Sequence, residues 1–293
     1  MFIGSVLDTI GKTPAVKLQR IGNVYVKMES RNPGGSVKDR AALFMIRDAE
    51  SRGLLKSGKI VEATSGNTGI GLAMVSASLG YELTIVMPDN MTRERAEIMT
   101  AYGAKVLFTP SAEGMKGAVD KANEIAKKEK AFMPEQFSNP SNVMSHYVGT
   151  AKEILEDVPD VDLIVAGIGT GGTASGIGRA MRNFAPKVKV IGVEPFESAL
   201  ITSGVSGAHG IQGIGANFIP DNLDMSVIDS VITVKSNDAK AMARRLAREE
   251  GILAGISSGA AVHAALSLAK DGKKVLAILP DSGERYISTG IFE

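Results

Sequence analysis

The amino-acid sequence predicts an α/β fold built on buried, parallel sheets. Short apolar segments typical of strands alternate with helical patterns along almost the whole chain, which is the signature of β–α–β units. With 293 residues, of which 44% are hydrophobic, the chain can bury a large core and is long enough for two packed units. We therefore expect parallel sheets flanked by helices and divided between two domains.

The apolar patterns place each element in chain order. The expected strands comprise residues 24–28, 59–63, 82–87, 105–108, 162–166, 188–193, 231–234 and 274–279. The expected helices run from 40 to 52, from the turn at 64–69 through 78, from a cap at Asp89–Thr92 to Tyr102–Gly103, and then over 117–128, 146–156, 173–183, 239–250 and the residues after 257. Turn formers at 136–142 predict a crossing between domains, and the glycine-rich segment 195–224 predicts a loop covering a cleft.

Composition argues against several classes of function. The 33 basic and 32 acidic residues give a net charge of +1, so neither nucleic acid nor an anionic membrane is expected as the main partner. The absence of cysteine excludes disulfides and thiolate catalysis, and three widely spaced histidines make a metal site unexpected. Met1–Ser5 lacks the features of a signal peptide and no apolar run is long enough to cross a bilayer, so we expect a cytoplasmic protein.

A loop at residues 32–40 delivers a lysine to the start of a helix. Pro33 fixes one backbone dihedral, and Gly34 and Gly35 allow a sharp turn that can approach a ligand. Lys38 then lies near the positive end of a helix dipole, which favours the neutral amine that a Schiff-base nucleophile needs. Taken alone, the segment fits a solvated lysine in a turn better, because most exposed lysines have no chemical role.

A glycine-rich turn, Gly167–Thr173, follows a strand and opens a helix. Its unpaired N–H groups and the helix dipole predict an anion site, for which phosphate is the natural ligand. The turn also matches the dinucleotide fingerprint through Gly167, Gly169 and Gly172, with Glu194 at about the distance expected for a ribose contact. An NAD-dependent oxidoreductase is therefore an alternative, whereas a P-loop hydrolase lacks its Gly-Lys-Ser/Thr ending.

The segment Gly255–Gly259 matches the Gly-x-Ser-x-Gly pattern of serine hydrolases, between a predicted strand and a predicted helix. That fold needs an acid and then a histidine after the serine. The only later histidine, His263, lies on the helix that follows immediately, so the chain order argues against a hydrolase.

The turn Thr64–Gly69 offers hydroxyls, an amide and backbone donors at a helix start, which suits a small carboxylate, although an ordinary capped turn has the same composition. The lysine loop, this turn, the glycine-rich turn and the Ser257 segment together require a ligand that carries a phosphate, accepts a lysine as an imine and lies beside a carboxylate. Pyridoxal 5′-phosphate with an amino-acid substrate accounts for all four segments. A dinucleotide explains only the glycine-rich turn.

Four stretches also carry a resemblance to a known family, and the likeness extends from about Asp8 to Thr289. These stretches are Gly35–Arg40, Thr64–Gly69, Gly169–Thr173 and His209–Ala216. They resemble the cysteine synthase (O-acetylserine sulfhydrylase) and cystathionine β-synthase family of fold-type II pyridoxal-phosphate enzymes. The resemblance implies a tryptophan-synthase-β-like fold with a larger cofactor-binding domain of residues 1–37 and 143–293 and a smaller mobile domain of residues 38–142.

The resemblance also implies a role for individual residues. Lys38 would hold the cofactor as an imine and then act as the catalytic base, while Asn67 would bind the ring hydroxyl oxygen and Ser257 the pyridine nitrogen. A serine there makes the ring a weaker electron sink than a carboxylate would, which suits β-elimination. The phosphate would bind to Gly169, Thr170, Gly171, Gly172 and Thr173. The substrate would contact Thr64, Ser65, Gly66, Thr68, Gln136, Gly213 and Ile214.

The implied reaction is β-replacement on a β-substituted L-amino acid through an aminoacrylate. Its most direct form converts O-acetyl-L-serine and sulfide to L-cysteine and acetate. An alternative within the family starts from cysteine, releases hydrogen sulfide and forms serine, lanthionine or cystathionine. The resemblance further implies a homodimer, and a serine acetyltransferase as a protein partner.

Overall fold

Two separate sheets organise the computed structural model of the chain, which describes residues 3–91 and 93–293. The strands are β1 (Ala15–Lys17), β2 (Val24–Met28), β3 (Lys59–Ala63), β4 (Glu82–Pro88), β5 (Lys105–Thr109), β6 (Leu163–Gly167), β7 (Lys189–Pro195), β8 (Ser230–Val234) and β9 (Val275–Leu279). The helices are α1 (Lys38–Ser51), α2 (Asn67–Leu79), α3 (Arg93–Ala101), α4 (Gly114–Glu129), α5 (Pro140–Ser145), α6 (Ala151–Asp157), α7 (Gly172–Phe184), α8 (Leu200–Ser203), α9 (Ser236–Glu250) and α10 (Ile256–Leu268). The predicted α/β class is confirmed.

The larger sheet has six strands in the order β1-β2-β9-β6-β7-β8. Only the β1–β2 pair is antiparallel, and the register places Val275 of β9 opposite both Val24 and Leu163. All five residues of β9 are buried, as expected for a central parallel strand that is covered on both faces. This burial explains why the strand is a continuous apolar run rather than an alternating one.

The smaller sheet has three parallel strands in the order β3-β4-β5. On one face, Met45 and Ile46 of α1 and Leu72 of α2 pack with Ile85 of β4 in one buried cluster. On the other face, Ala118 of α4 belongs to a second cluster with residues of β3 and β4. The helices therefore cover both faces of this sheet as well.

Parallel pairing determines where the functional loops lie. The neighbouring strands β2, β9 and β6 run in the same direction, so the segments after them lie at one edge of the larger sheet. These segments are the lysine loop, residues 280–286 and the glycine-rich turn. Ligands of open α/β sheets bind beyond the carboxyl ends of the strands, so this edge is the natural place for a site.

Most predicted elements are confirmed with boundaries shifted by less than one helical turn. The helix predicted over 146–156 is confirmed over 151–156, which belong to α6, but its first five residues, His146–Thr150, form a π-helical turn that directly follows α5. The strand predicted before Gly255 is wrong, since Ala254 forms only an isolated bridge with Ser282. Without that strand, the hydrolase-like pattern lacks its structural context. Met1, Phe2 and Thr92, which entered the predictions of an amino terminus and a helix cap, lie outside the described residues.

Within residues 3–91 and 93–293, no helix is both long enough and apolar enough to cross a membrane.

Candidate active site

Lys38 is the first residue of α1, and its loop is bonded to the segment that follows β9. The Val37 N–H donates to Pro280 O at 2.8 Å, and Ser36 forms an antiparallel bridge with Asp281. Gly35 takes φ +82°, a left-handed conformation that lets the loop turn sharply. The Lys38 side chain keeps some contact with solvent. Burial nevertheless lowers its pKa, an effect that the negative charge of Asp281 opposes. A lowered pKa favours the neutral amine that forms an imine.

Asn67, the first residue of α2, is held by two residues from the segment after β9. Its Nδ2 donates to Asp281 Oδ2 at 2.6 Å, and its Oδ1 accepts from Arg285 Nη1. The Tyr286 hydroxyl donates to the same Asp281 oxygen at 2.6 Å. Arg285 Nη2 donates to the carbonyl of Gly34 in the lysine loop. The structure thus places Asn67 beside the lysine loop, as a shared ligand requires.

The turn between β3 and α2 carries the predicted carboxylate site. The Thr68 hydroxyl donates to Gln136 Oε1 at 2.5 Å, which brings together two residues that are 68 positions apart. Thr64 Oγ1 accepts from the Gly66 N–H at 3.3 Å, and the Ser65 carbonyl accepts from an arginine of α3. The Gly69 N–H donates to the Gly66 carbonyl at 3.0 Å, whereas the N–H groups of Asn67 and Thr68 precede the first intrahelical bonds and are available to a carboxylate.

Tight packing explains the glycines of the turn before α7. Gly171 takes φ +81°, and a Cβ at this position would lie 2.8 Å from Leu223 Cα. A Cβ at Gly172 would lie 2.2 Å from Asn142 Oδ1. Together with the hydroxyls of Thr170 and Thr173 at the amino-terminal end of α7, this backbone is a donor set that fits a phosphate group.

A hydrogen-bond path joins the carboxylate turn to the glycine-rich turn. Asn142 Nδ2 donates to the Gln136 carbonyl at 2.8 Å and to Thr170 Oγ1 at 3.0 Å. Gln136 in turn accepts from Thr68, so the path runs from one predicted site to the other through buried groups. The sequence had marked Asn142 only as a turn former, and no local pattern pointed to this role.

His146 is a second residue of the site that sequence reasoning missed. Its Nε2 lies 3.2 Å from Thr173 Oγ1, and its Nδ1 lies 2.9 Å from Thr150 Oγ1. Burial lowers its pKa well below the usual range, and the positive charges of Arg40 and Lys38 add to this effect. The imidazole is therefore neutral at physiological pH. The signal available in the sequence was its position just after the domain-crossing segment. The structure adds that it lies in a π-helical turn, of the kind often found at functional sites.

The loop containing Gly213 and Ile214 connects Ser257 with the glycine-rich turn. Ser257 lies buried in the first turn of α10, and a Cβ at Gly213 would be 3.7 Å from its Oγ. A Cβ at Gly169 would lie 2.4 Å from Gly213 O, so the two loops are in close contact. Ile214 is buried against Gly167. These contacts link the Ser257 segment to the glycine-rich turn, and Asp281 links it to the lysine loop and to Asn67.

Glu194, by contrast, is not available for a dinucleotide. Its Oε2 accepts from the Ile201 N–H at 2.9 Å, and its Oε1 accepts from the Thr202 N–H at 2.9 Å and the Thr202 hydroxyl at 2.6 Å. The carboxylate therefore caps α8, and its prediction as a ribose ligand is wrong. Among the described residues, no group of three or more histidine, aspartate and glutamate side chains is arranged to hold a metal ion.

An imine-forming lysine, a phosphate-binding turn, an amide and a hydroxyl for a heteroaromatic ring, and a carboxylate turn together define the class of enzymes that use pyridoxal phosphate. Residues 6–281 match the family of pyridoxal-phosphate dependent enzymes, and the chain belongs to this family. The protein is therefore an enzyme, its cofactor is pyridoxal 5′-phosphate, and the predicted fold type is confirmed.

Its relatives include cysteine synthases. A cysteine synthase of Staphylococcus aureus is 46% identical over 301 residues, covering 99% of this chain and 97% of the relative. The crystal structure of an O-ureido-L-serine synthase is 49% identical with a TM-score of 0.97, covering 100% of this chain and 96% of that one. A hydrogen sulfide-producing enzyme from Fusobacterium nucleatum is 45% identical with a TM-score of 0.93, covering 97% of this chain and 100% of the other.

Proposed function

We propose that the enzyme makes L-cysteine by β-replacement, using O-acetyl-L-serine and sulfide. The observation that carries this proposal is the buried path from Thr68 through Gln136 and Asn142 to Thr170. This path supports an amino-acid carboxylate site and a phosphate site whose separation is set by buried hydrogen bonds. The similarity to a cysteine synthase over nearly the whole chain supports the substrate.

Each predicted residue has a defined task in this proposal. Bound pyridoxal phosphate supplies the electron sink that makes the substrate α-proton acidic. Lys38 would hold the cofactor and, as a neutral amine, would take that proton. Asn67 and Ser257 orient the ring. Ser257 is neutral, so it does not keep the ring nitrogen protonated as a carboxylate would, and the loss of a β-leaving group is favoured over transamination.

The substrate is held by three groups of residues. The turn at Thr64, Ser65, Gly66 and Thr68 binds the carboxylate together with Gln136. Gly213 and Ile214 line the side near Ser257, where a side chain at position 213 would come into van der Waals contact with the serine hydroxyl. Residues 169–173 would hold the phosphate.

Two related reactions are alternatives, each supported by the similarity to a particular enzyme. The similarity to a hydrogen sulfide-producing enzyme favours a reaction that consumes cysteine and forms serine, lanthionine or cystathionine. The similarity to an O-ureido-L-serine synthase favours an oxygen nucleophile in place of sulfide. All three reactions share the chemistry at Lys38 and differ in leaving group and nucleophile.

The deciding experiment compares turnover of the purified holoenzyme with three mixtures: O-acetylserine with sulfide, cysteine alone, and O-acetylserine with hydroxyurea. We expect the first to give the highest kcat/KM, measured as cysteine formed. Faster sulfide release from cysteine, or faster O-ureidoserine formation, would replace the proposed reaction by the corresponding alternative. Lys38→Ala serves as control and should lose both turnover and the imine absorption of the bound cofactor. An NAD-dependent reaction would instead survive this substitution.

We further propose that residues 38–142 form a mobile domain that closes over the substrate and excludes water. The three strands of the smaller sheet all lie within this range, which supports the boundaries. The family resemblance supports a cytoplasmic homodimer and a complex with a serine acetyltransferase. Light scattering on the purified protein tests whether it is a dimer, and co-purification with the acetyltransferase tests the complex.

A further inference from the structure

Asp281 lies where three of the four predicted site segments meet. Its backbone pairs with Ser36 of the lysine loop, and its carbonyl accepts from the Gly255 N–H at 3.2 Å, just before Ser257. Its side chain accepts from Asn67 at 2.6 Å. The residue is only 2% exposed, and neither the motifs nor the proposed function assigns it a task.

The amide of Asn67 is fixed by two partners of opposite hydrogen-bonding chemistry. An ionised carboxylate such as Asp281 only accepts, and a guanidinium such as that of Arg285 only donates. The amide nitrogen must therefore face Asp281 and the amide oxygen must face Arg285, so the amide has one orientation. Its nitrogen carries two hydrogens, of which the bond to Asp281 uses one. The second remains for a ligand.

The Asp281 carboxylate is held more firmly on one side than on the other. Oδ2 accepts from both Asn67 and the Tyr286 hydroxyl, each at 2.6 Å. Oδ1 is buried without a hydrogen-bond partner among the described residues, and a Cβ at Gly255 would lie 2.0 Å from it. A buried oxygen without a partner is costly, and such exceptions often mark a functional role. A residue that served packing alone would not need a carboxylate here.

We propose that Asp281 is a positioning residue for the cofactor: it holds the Asn67 amide in the orientation that leaves one N–H free to donate to the ring oxygen of pyridoxal phosphate. Arg285 supports the same orientation from the other side. This inference rests on the role of Asn67 in the proposed function. Asp281 acts through Asn67, without needing contact with the cofactor.

A double-mutant cycle on cofactor affinity tests this role. The dissociation constant of pyridoxal phosphate is measured by equilibrium dialysis for wild-type apoprotein, Asp281→Ala, Asn67→Ala and the double variant. We expect each single substitution to weaken binding about tenfold, the effect of losing one well-placed hydrogen bond of about 1.4 kcal/mol. The double variant should lose no more than Asn67→Ala alone, because Asp281 has no task once Asn67 is gone.

The control variant is Glu284→Gln, which removes an exposed carboxylate from the same segment and should bind the cofactor like wild type. Urea unfolding of each apoprotein separates a loss of stability from a loss of affinity. Asp281→Asn, which keeps the shape of the side chain, is carried through the same cycle in case the alanine variant does not fold.

Additive losses in the double variant, or an unchanged dissociation constant in the Asp281 variants, overturn the proposal, because a purely structural role would give these results. A different result would refute the proposed function. A wild-type protein that binds pyridoxal phosphate but does not convert O-acetylserine would refute the proposed reaction, while the cycle, which needs only cofactor binding, would still decide the role of Asp281.

Discussion

Replacing Arg40 by methionine tests how the helix that begins with Lys38 is held in place. Arg40 Nε donates to Glu29 Oε2 and its Nη1 donates to Glu153 Oε1, each at 2.6 Å. Lys27 lies 3.0 Å from Glu153 and completes a buried ion cluster. The side chains of Arg40 and Glu29 are 4% and 0% exposed. The cluster therefore ties α1 to the segments around β2 and to α6, two residues from the proposed catalytic amine.

The expected loss in the free energy of unfolding depends on which partners the Glu29 and Glu153 carboxylates keep when methionine replaces Arg40. It restores much of the side-chain volume but no charge, so the Glu29 carboxylate keeps only neutral partners, the Thr13 hydroxyl at 2.7 Å and the Asn32 amide at 2.9 Å. Removing one partner of a buried ion pair costs about 3–5 kcal/mol. Because Lys27 still neutralises Glu153, we expect a loss of about 3 kcal/mol in the free energy of unfolding.

The pH dependence gives this prediction a second signature. Burial alone would raise the pKa of Glu153, but its bonds to Arg40 outweigh that effect and hold the pKa at about 2, below the ordinary 4.5. A depressed carboxyl pKa contributes stability above the unfolded value and loses it as the pH falls toward the folded value. The difference between wild type and Arg40→Met should therefore shrink as the pH falls from about 4.5 toward about 2.

Urea unfolding of the two apoproteins at several pH values measures both effects. The matched control is Arg47→Met on the same helix, whose partner Glu50 lies at 2.7 Å but whose own side chain is 54% exposed. Exposed pairs contribute at most about 1 kcal/mol. If Arg40→Met cost no more than Arg47→Met, or if its cost did not change with pH, the cluster would not be holding the lysine helix as argued.

Three further predictions concern the two turns and the strand below them. Gly171→Ala should weaken cofactor binding about tenfold, because its φ is +81° and a Cβ would meet backbone at 2.8 Å; Gly53→Ala, at φ +66° with open space around it, should leave binding unchanged in equilibrium dialysis. Burial raises the pKa of Glu62 from 4.5 to about 7, so stability present below pH 4.5 is lost as the pH rises through 7. Glu62→Gln should reduce this loss in urea unfolding, and an unchanged slope would contradict the assignment. Thr68→Val should raise KM for the amino-acid substrate about tenfold, since it removes the hydroxyl that donates to Gln136 at 2.5 Å, and an unaltered KM in steady-state kinetics would argue against the carboxylate site.

Local patterns predicted the strands well because burial in a parallel sheet leaves a strong apolar signal. β2 and β3 begin and end at the predicted residues. β1 was missed because its three residues, Ala15–Lys17, lie at the sheet edge and none is fully buried, so no apolar run marks it. The isolated bridge at Ala254 shows the opposite error, where an apolar run next to a turn does not pair as a strand.

In the candidate site, too, residues in local motifs were predicted and residues defined by long-range contacts were missed. The lysine loop and the glycine-rich turn carry their chemistry in contiguous residues, which a sequence displays directly. Asp281, Asn142 and His146 act through contacts with residues far away in the chain, such as the 214 positions between Asn67 and Asp281. The one local signal for Asp281 was an acidic residue two positions after a predicted buried strand, at the carboxyl edge where ligands bind.

The same long-range contacts constrain how the proposed smaller domain can close. Gln136 is bonded through its side chain to Thr68, and through its carbonyl to Asn142 and to Asn222 at 2.9 Å. Thr68 belongs to the proposed mobile domain, whereas Asn222 belongs to the larger one. If Thr68 and Asn222 moved far apart, Gln136 would lose its hydrogen bond to one of them, and losing a buried hydrogen bond is costly. Closure must therefore pivot close to residues 136–142, so that the carboxylate site turns about Gln136 while the phosphate site keeps its support from Asn142.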